Sequence, residues 1–147
     1  MNWAVYAVLS AVFASLVAIF GKIGIKGVDS NLAVALRTIV IVFFAWGIVL
    51  WQGNAADMFK ISKFSMTFIF LSAIATGLSW MFYYKALQLG DVANVVPIDK
   101  LSIALAMILA FVILGEKATW GNVIGGILVT AGVMSTIFMD KIITKFF

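Results

Sequence analysis

Three charged residues, Arg37, Asp99 and Lys100, stand inside stretches that are otherwise apolar, and they are the residues of this sequence best suited to chemistry. A charge in the hydrocarbon layer is costly unless it is paired or hydrated. Counting about 1.5 Å per residue from Leu32 and Val92 puts Arg37 about 8 Å and Asp99 about 10 Å inside a membrane. Because both stretches enter from the same side, Arg37 and Asp99 are expected at comparable depth, where they can pair.

The charges are consistent with a structural pair or with a transport site. A pair alone explains Arg37 and Asp99, but Lys100 lies about 100° round the helix and brings the net charge of the three to about +1. Pro97 leaves a carbonyl near Ala93 without its helical donor, and a kinked turn beside charges is typical of transporter sites. Conversely, proline is tolerated in the first turns and Lys100 can reach the membrane surface. The pattern slightly favours a site.

A second polar set lies on one face of the third apolar stretch, at spacings of four, three and four. It consists of Ser72, Thr76, Ser79 and Tyr83. Together with Ala73 and Gly77, these residues favour close helix packing. The alternative is a polar cavity wall with Trp80 beside it, and this face is expected to recognise the substrate if Asp99 is fully paired with Arg37.

The elements that must position these residues are membrane-spanning helices. The chain is 65% hydrophobic and 11% charged, with a mean hydropathy of +1.18. Five apolar blocks approach the roughly 20 residues that cross a bilayer, and they cover about residues 3–20, 32–51, 64–87, 92–114 and 120–139. The first block has no basic leading region and no clear cleavage site, so it is predicted to be retained. The sequence therefore predicts one all-α membrane domain, residues 1–147, a bundle of five transmembrane helices.

Several function classes are excluded or disfavoured by composition. The chain has no cysteine and no histidine, which removes disulfides, thiol chemistry and the commonest metal clusters. We therefore expect no enzyme activity, no metal and no cofactor. The ten basic residues are scattered at helix ends, so nucleic acid is not an expected partner and the lipid bilayer is.

The distribution of basic residues modestly predicts the orientation in the cytoplasmic membrane. With Lys100 left out as intramembrane, one side would carry six basic residues and the other three, which favours an external N-terminus and an internal C-terminus. The six are Lys22, Lys26, Arg37, Lys85, Lys141 and Lys145, and the three are Lys60, Lys63 and Lys117.

The fifth block is rich in glycine, which is typical of helix-association surfaces in membranes. Gly121 and Gly125 are four residues apart, and Gly132 follows seven residues later. These three glycines are the predicted contact for another helix.

Three stretches of the sequence together resemble an EamA domain. They are GKIGIKGVDSNLAVALRT (residues 21–38), YYKALQLGDVANVVPIDKLS (83–102) and LGEKATWGNVIGGILVTAGV (114–133). More narrowly, the chain is similar to the five-span, half-length bacterial and archaeal branch of the drug/metabolite transporter superfamily. Gly115 and Glu116 match the family's L-G-E turn, and Pro97 matches the proline of its second-to-last helix.

The resemblance implies one repeat of an alternating-access carrier, whose longer relatives contain two inverted repeats. A half-length chain is then expected to form a homodimer or to pair with a second half-length chain. The leading hypothesis is a secondary carrier of a small polar metabolite. Because Arg37 and Lys100 are expected near Asp99, an anionic or zwitterionic substrate is preferred. The alternatives are a non-transporting scaffold and a proton-coupled exporter of lipophilic cations.

Overall fold

The computed structural model describes residues 2–146, with side chains described for residues 2–139. The described residues form six α-helices and one short 3-10 helix, Ala55–Lys60. The α-helices are α1 (Trp3–Gly24), α2 (Ser30–Trp51), α3 (Lys63–Leu89), α4 (Val92–Asp99), α5 (Leu101–Ile113) and α6 (Trp120–Phe146).

Five helical segments are long and apolar enough to cross a membrane, which confirms the predicted all-α architecture with five spans. The first span is longer than predicted, because α1 continues to Gly24 rather than ending near Phe20. The backbone N–H of Ile25 still donates to the Gly21 carbonyl at 3.0 Å. Glycine costs only about 1 kcal/mol in a helix, so the glycines after Phe20 do not stop it.

The described residues fall into two compact units, one ending at Leu89 and the next beginning at Gly90. In the first unit, α3 contacts both α1 and α2. The helix α2 begins after an N-cap residue, since the Asp29 carboxylate accepts from the N–H groups of Asn31 (2.9 Å) and Leu32 (3.0 Å). That cap satisfies two donors that a helix start leaves unpaired.

Two long-range hydrogen bonds tie the end of α3 to the α1–α2 connection. The Lys22 ammonium donates to the Leu87 carbonyl at 2.6 Å, and the Gln88 amide donates to the Val28 carbonyl at 2.9 Å. The Leu87 side chain is fully buried. Carbonyls at a helix end have no partner within the helix, and the Lys22 bond satisfies the Leu87 carbonyl at the end of α3. The Gln88 bond satisfies a carbonyl of the α1–α2 connection.

In the second unit, the predicted fourth span is two helices that meet at Lys100. The Lys100 N–H donates to the carbonyls of Val96 (3.3 Å) and Pro97 (3.0 Å), and the Ile103 N–H donates to the Lys100 carbonyl at 3.0 Å. A hydrogen bond between residues three apart closes a tighter turn than the bond between residues four apart in an α-helix. The span is therefore interrupted three residues after its proline.

The helix α5 ends in a glycine turn. Gly115 has a φ of +67°, and the Glu116 N–H donates to the Ala110 carbonyl at 3.2 Å. This six-residue closure with a left-handed glycine is the Schellman motif. It gives the L-G-E turn a physical reason, because other residues are strained at that φ.

Apolar side chains on the helix surfaces are largely exposed, as expected where lipid covers them. Phe43 is 75% and Phe82 is 74% exposed, both in the middle of predicted spans. The buried positions are few and sit where helices meet, among them Ala18, Val34, Tyr84 and Leu87 in the first unit and Val133 in the second.

Gly21 and Gly24, one turn apart on α1, provide a matched test of the packing in the first unit. A Cβ at Gly21 would lie 3.1 Å from the Tyr84 hydroxyl oxygen, whereas a Cβ at Gly24 meets nothing within 4 Å. We expect Gly21→Leu to lower the free energy of unfolding by roughly 1–3 kcal/mol through overpacking. Gly24→Leu should leave it within about 0.5 kcal/mol. Equilibrium unfolding in mixed micelles measures both, and equal effects at the two positions would contradict this packing.

Candidate functional site

Arg37, the only arginine of the chain, lies on α2 with its side chain half-buried against α3. Its guanidinium carbon is 4.2 Å from the centre of the Trp80 ring and 4.9 Å from the centre of the Tyr84 ring. Both distances are within the range of a cation–π interaction. The structure thus gives the charge an aromatic environment inside its own unit.

Helix geometry and one glycine place the two rings. Trp80 and Tyr84 are four residues apart on α3 and therefore share a face. Tyr84 is only 6% exposed, and its hydroxyl end lies against the surface of α1 at Gly21. Because Gly21 has no side chain, α1 leaves room for the hydroxyl end of the Tyr84 ring.

The hydrogen-bonding capacity of the guanidinium is not used among residues 2–89. The planar group carries five N–H donors. Among residues 2–89, no carboxylate lies within 4.0 Å of these nitrogens and no acceptor takes a hydrogen bond from them. The first unit therefore holds the cation without neutralising it.

A groove of about 390 Å³ lies beside Arg37 on the side of α1 and α2. Arg37 and Tyr84 are the only lining residues with polar side chains. The other lining positions are aliphatic, aromatic or glycine, with Gly21 and Gly24 forming part of the α1 wall. An apolar groove with one cation is suited to an anion that also carries an apolar group.

In the second unit, Asp99 and Lys100 pair with each other, with 3.1 Å between the Lys100 ammonium and the Asp99 carboxylate. Their side chains are 33% and 45% exposed, respectively, so the pair is open to its surroundings. It sits at the junction of α4 and α5, close to the half-buried Pro97. Arg37 and Asp99 lie in different units, and their pairing stays a prediction.

The hydroxyl face of α3 is not the face that packs in the first unit. Ser72, Thr76 and Ser79 are exposed, and the Thr76 hydroxyl donates to the Ser72 carbonyl at 2.8 Å. Tyr83 is half-buried. Their role as a cavity wall stays a prediction.

Tyr84 is the site residue that sequence reasoning missed. In the sequence, Tyr83, Tyr84 and Lys85 read as an interfacial aromatic belt. The available signal was the four-residue spacing of Trp80 and Tyr84 opposite an arginine at similar depth on the neighbouring helix. The spacing shows that Trp80 and Tyr84 share a helix face, but it does not show which neighbouring helix packs against that face.

The glycines of α6 divide into two sets. A Cβ at Gly126 would lie 3.2 Å from the Met107 methyl, so Gly126 forms the contact with α5. Gly125 and Gly132 face open space in this chain, and Gly121 meets only the Thr119 hydroxyl at 3.9 Å. The predicted association surface is therefore free of other helices within the second unit, and its use by another chain stays a prediction.

The helices and the membrane-depth charge define a multi-pass membrane protein with an unneutralised cation in its first unit. The model of the EamA-like transporter family matches residues 1–138, and the chain belongs to that family. A Sinorhizobium protein named "Uncharacterized transporter in cobO 3'region" is 40% identical over 133 residues, which is 90% of this chain and 94% of that protein. No solved structure matches the chain significantly. Family and relative both support a transport function.

The Arg37 environment can be tested with a double-mutant cycle. We expect Arg37→Met and Trp80→Leu to show a coupling energy of about 0.5–2 kcal/mol, because each change removes the same cation–π interaction. Unfolding of the two single variants and the double variant in mixed micelles gives this energy. Arg37→Met combined with Trp46→Leu is the control and should be additive within about 0.5 kcal/mol. A Trp80 coupling no larger than the control value would rule out the interaction.

Proposed function

We propose that this protein is a secondary carrier of a small polar metabolite, anionic or zwitterionic, across the cytoplasmic membrane. The observation that carries the proposal is Arg37, a permanent cation whose N–H donors have no acceptor within its own unit. A cation of this kind binds a carboxylate or phosphate bidentately. Membership of a transporter family makes transport the natural use of such a site.

The charged pair of the second unit favours an anionic substrate over a lipophilic cation. A proton-coupled cation exporter needs a carboxylate that alternates between a proton and the cation. The Asp99 carboxylate already has the Lys100 ammonium at 3.1 Å, so a cation would have to displace it. A cation-resistance phenotype that is lost in Asp99→Asn would overturn this preference.

Catalysis is not part of the proposal. The sequence has neither histidine nor cysteine, and the described residues contain no group of three or more acidic residues able to hold a metal. We propose that transport requires no cofactor and no metal.

The proposed assembly is a homodimer, or a pair with a second half-length chain, oriented with its N-terminus outside. The relative aligns over 94% of its own length, so it is of comparable length to this chain. The open surface at Gly121, Gly125 and Gly132 is the proposed contact, because small residues let helix backbones approach closely. The orientation rests on the basic residues, of which Lys141 and Lys145 lie outside the residues whose side chains are described.

A flux assay tests the proposed function. Purified protein in liposomes loaded with amino acids, organic acids, phosphate esters and quaternary amines is given an inward proton or sodium gradient. We expect at least one anionic or zwitterionic compound to leave faster than from protein-free liposomes. Arg37→Gln should reduce this flux to background and Arg37→Lys should slow it by about tenfold, because lysine lacks the planar fork. Mass spectrometry of the released compounds is the measurement.

Gly47→Leu is the control for this assay, since a Cβ at Gly47 meets nothing within 4 Å and Gly47 does not line the Arg37 groove. Its flux should match the wild type. The carrier proposal fails if the wild type moves nothing, or moves only the quaternary amines, while a known family member is active in the same liposomes.

The dimer contact is tested by Gly125→Leu. A leucine at this position fills the open surface of α6 and should lower the dimer fraction in dilute micelles by about tenfold or more, because the backbones can no longer approach. Single-molecule photobleaching steps measure the fraction, with Gly47→Leu as the control. A dimer fraction unchanged by Gly125→Leu would place the contact elsewhere.

A further inference from the structure

We infer that the groove beside Arg37 binds an amphiphilic organic anion, with its anionic head on the guanidinium edge and its apolar group between α1 and α2. This inference names the substrate class of the site described above and therefore rests on the proposed function. It follows from the lining of the groove, from the geometry of the guanidinium and from the size and depth of the space.

The lining of the groove favours a ligand that carries both an anionic head and an apolar group. Only Arg37 and Tyr84 contribute polar side chains, and the remaining wall includes Val17, Phe20 and Leu36. A small hydrophilic anion would lose its hydrating water along this wall and would find no hydrogen-bond partner there in exchange, which costs free energy. An anion with an apolar group places only its head at Arg37 and buries the rest.

The unused hydrogen-bonding capacity of the guanidinium directs the head toward its N–H groups. The guanidinium carbon lies 4.2 and 4.9 Å from the ring centres of Trp80 and Tyr84, and no acceptor among residues 2–89 takes its N–H groups, which leaves them for a ligand. Aromatic contact keeps the cation in place without a competing carboxylate in the same unit. A carboxylate matches such a planar fork, as does a phosphate.

Size and depth favour a soluble metabolite over a membrane lipid. The groove measures about 390 Å³, at the lower end of the roughly 300–1,000 Å³ typical of small-molecule sites. Arg37 is expected about 8 Å inside the hydrocarbon layer. The phosphate of a lipid would have to leave the headgroup region to reach Arg37. A small carboxylate is not anchored in the headgroup region and can enter the groove as a whole.

Gly24 sets the length of apolar group that fits. It lines the groove, and a Cβ there meets nothing within 4 Å. A larger side chain at this position would take up space in the groove that the ligand's apolar group is proposed to occupy. Gly24→Leu therefore separates recognition of the apolar group from recognition of the head.

The experiment uses the side-chain ¹⁵N signals of Arg37, which report on this site alone because the chain has no other arginine. The whole protein in nanodiscs of zwitterionic lipid is titrated with straight-chain carboxylates from acetate to octanoate. We expect the affinity to rise by up to about fourfold per added methylene until the groove is filled. Gly24→Leu should reduce the preference for octanoate over acetate by about tenfold or more. Gly47→Leu, which adds the same side chain away from the groove, should behave like the wild type.

The inference is overturned if the arginine signals respond equally to all chain lengths, or if Gly24→Leu retains the wild-type preference. It is also overturned if anionic lipid in the nanodisc shifts the signals and blocks the carboxylates, because the occupant is then a lipid. The two proposals can fail separately. If binding depends on chain length but no flux occurs in liposomes, the carrier proposal fails and the inference about the groove stands. If Arg37-dependent flux is the same for anions of every chain length, the inference about the groove fails and the carrier proposal stands.

Discussion

The constraint on which this structure depends is a guanidinium that cannot lose its charge and lies in a layer that penalises charge. The protein meets that constraint in the first unit with aromatic faces rather than with a carboxylate. Trp80 and Tyr84 stabilise the cation, and its N–H donors have no acceptor among residues 2–89. An arginine paired with a carboxylate would be a structural lock, whereas one held by aromatic rings remains able to bind an anion.

The packing of the first unit follows from that arrangement. Tyr84 can stand beside Arg37 only because α1 presents Gly21 to it, and α3 is fixed in position by the bonds of Lys22 and Gln88 at its end. Because α1 extends to Gly24, it also supplies one wall of the groove beside Arg37. One glycine therefore makes room for a ring, and the next leaves space for a ligand.

Hydropathy was sufficient to predict the five spans, because the apolar content of a stretch is a property of local sequence. It was insufficient for Tyr84 and Gly126, whose roles depend on which helix lies opposite. A glycine-rich helix such as α6 has several faces with small residues, and spacing alone cannot say that Gly126 meets Met107 while Gly125 stays open. Similarly, the proline indicated a disturbed fourth span, but the break lies at Lys100 because the turn there tightens.

The most direct test of the central claim is a solid-state NMR dephasing measurement in bilayers between the ¹⁵N-labelled guanidinium of Arg37 and ¹³C-labelled carboxylates. The label is placed either on the aspartate side chains of the protein or on an added amphiphilic carboxylate. The account predicts strong dephasing by the ligand and weak dephasing by the protein's own aspartates. Strong dephasing by the aspartates, unaffected by ligand, would show that Arg37 is locked in an internal ion pair and would contradict the account.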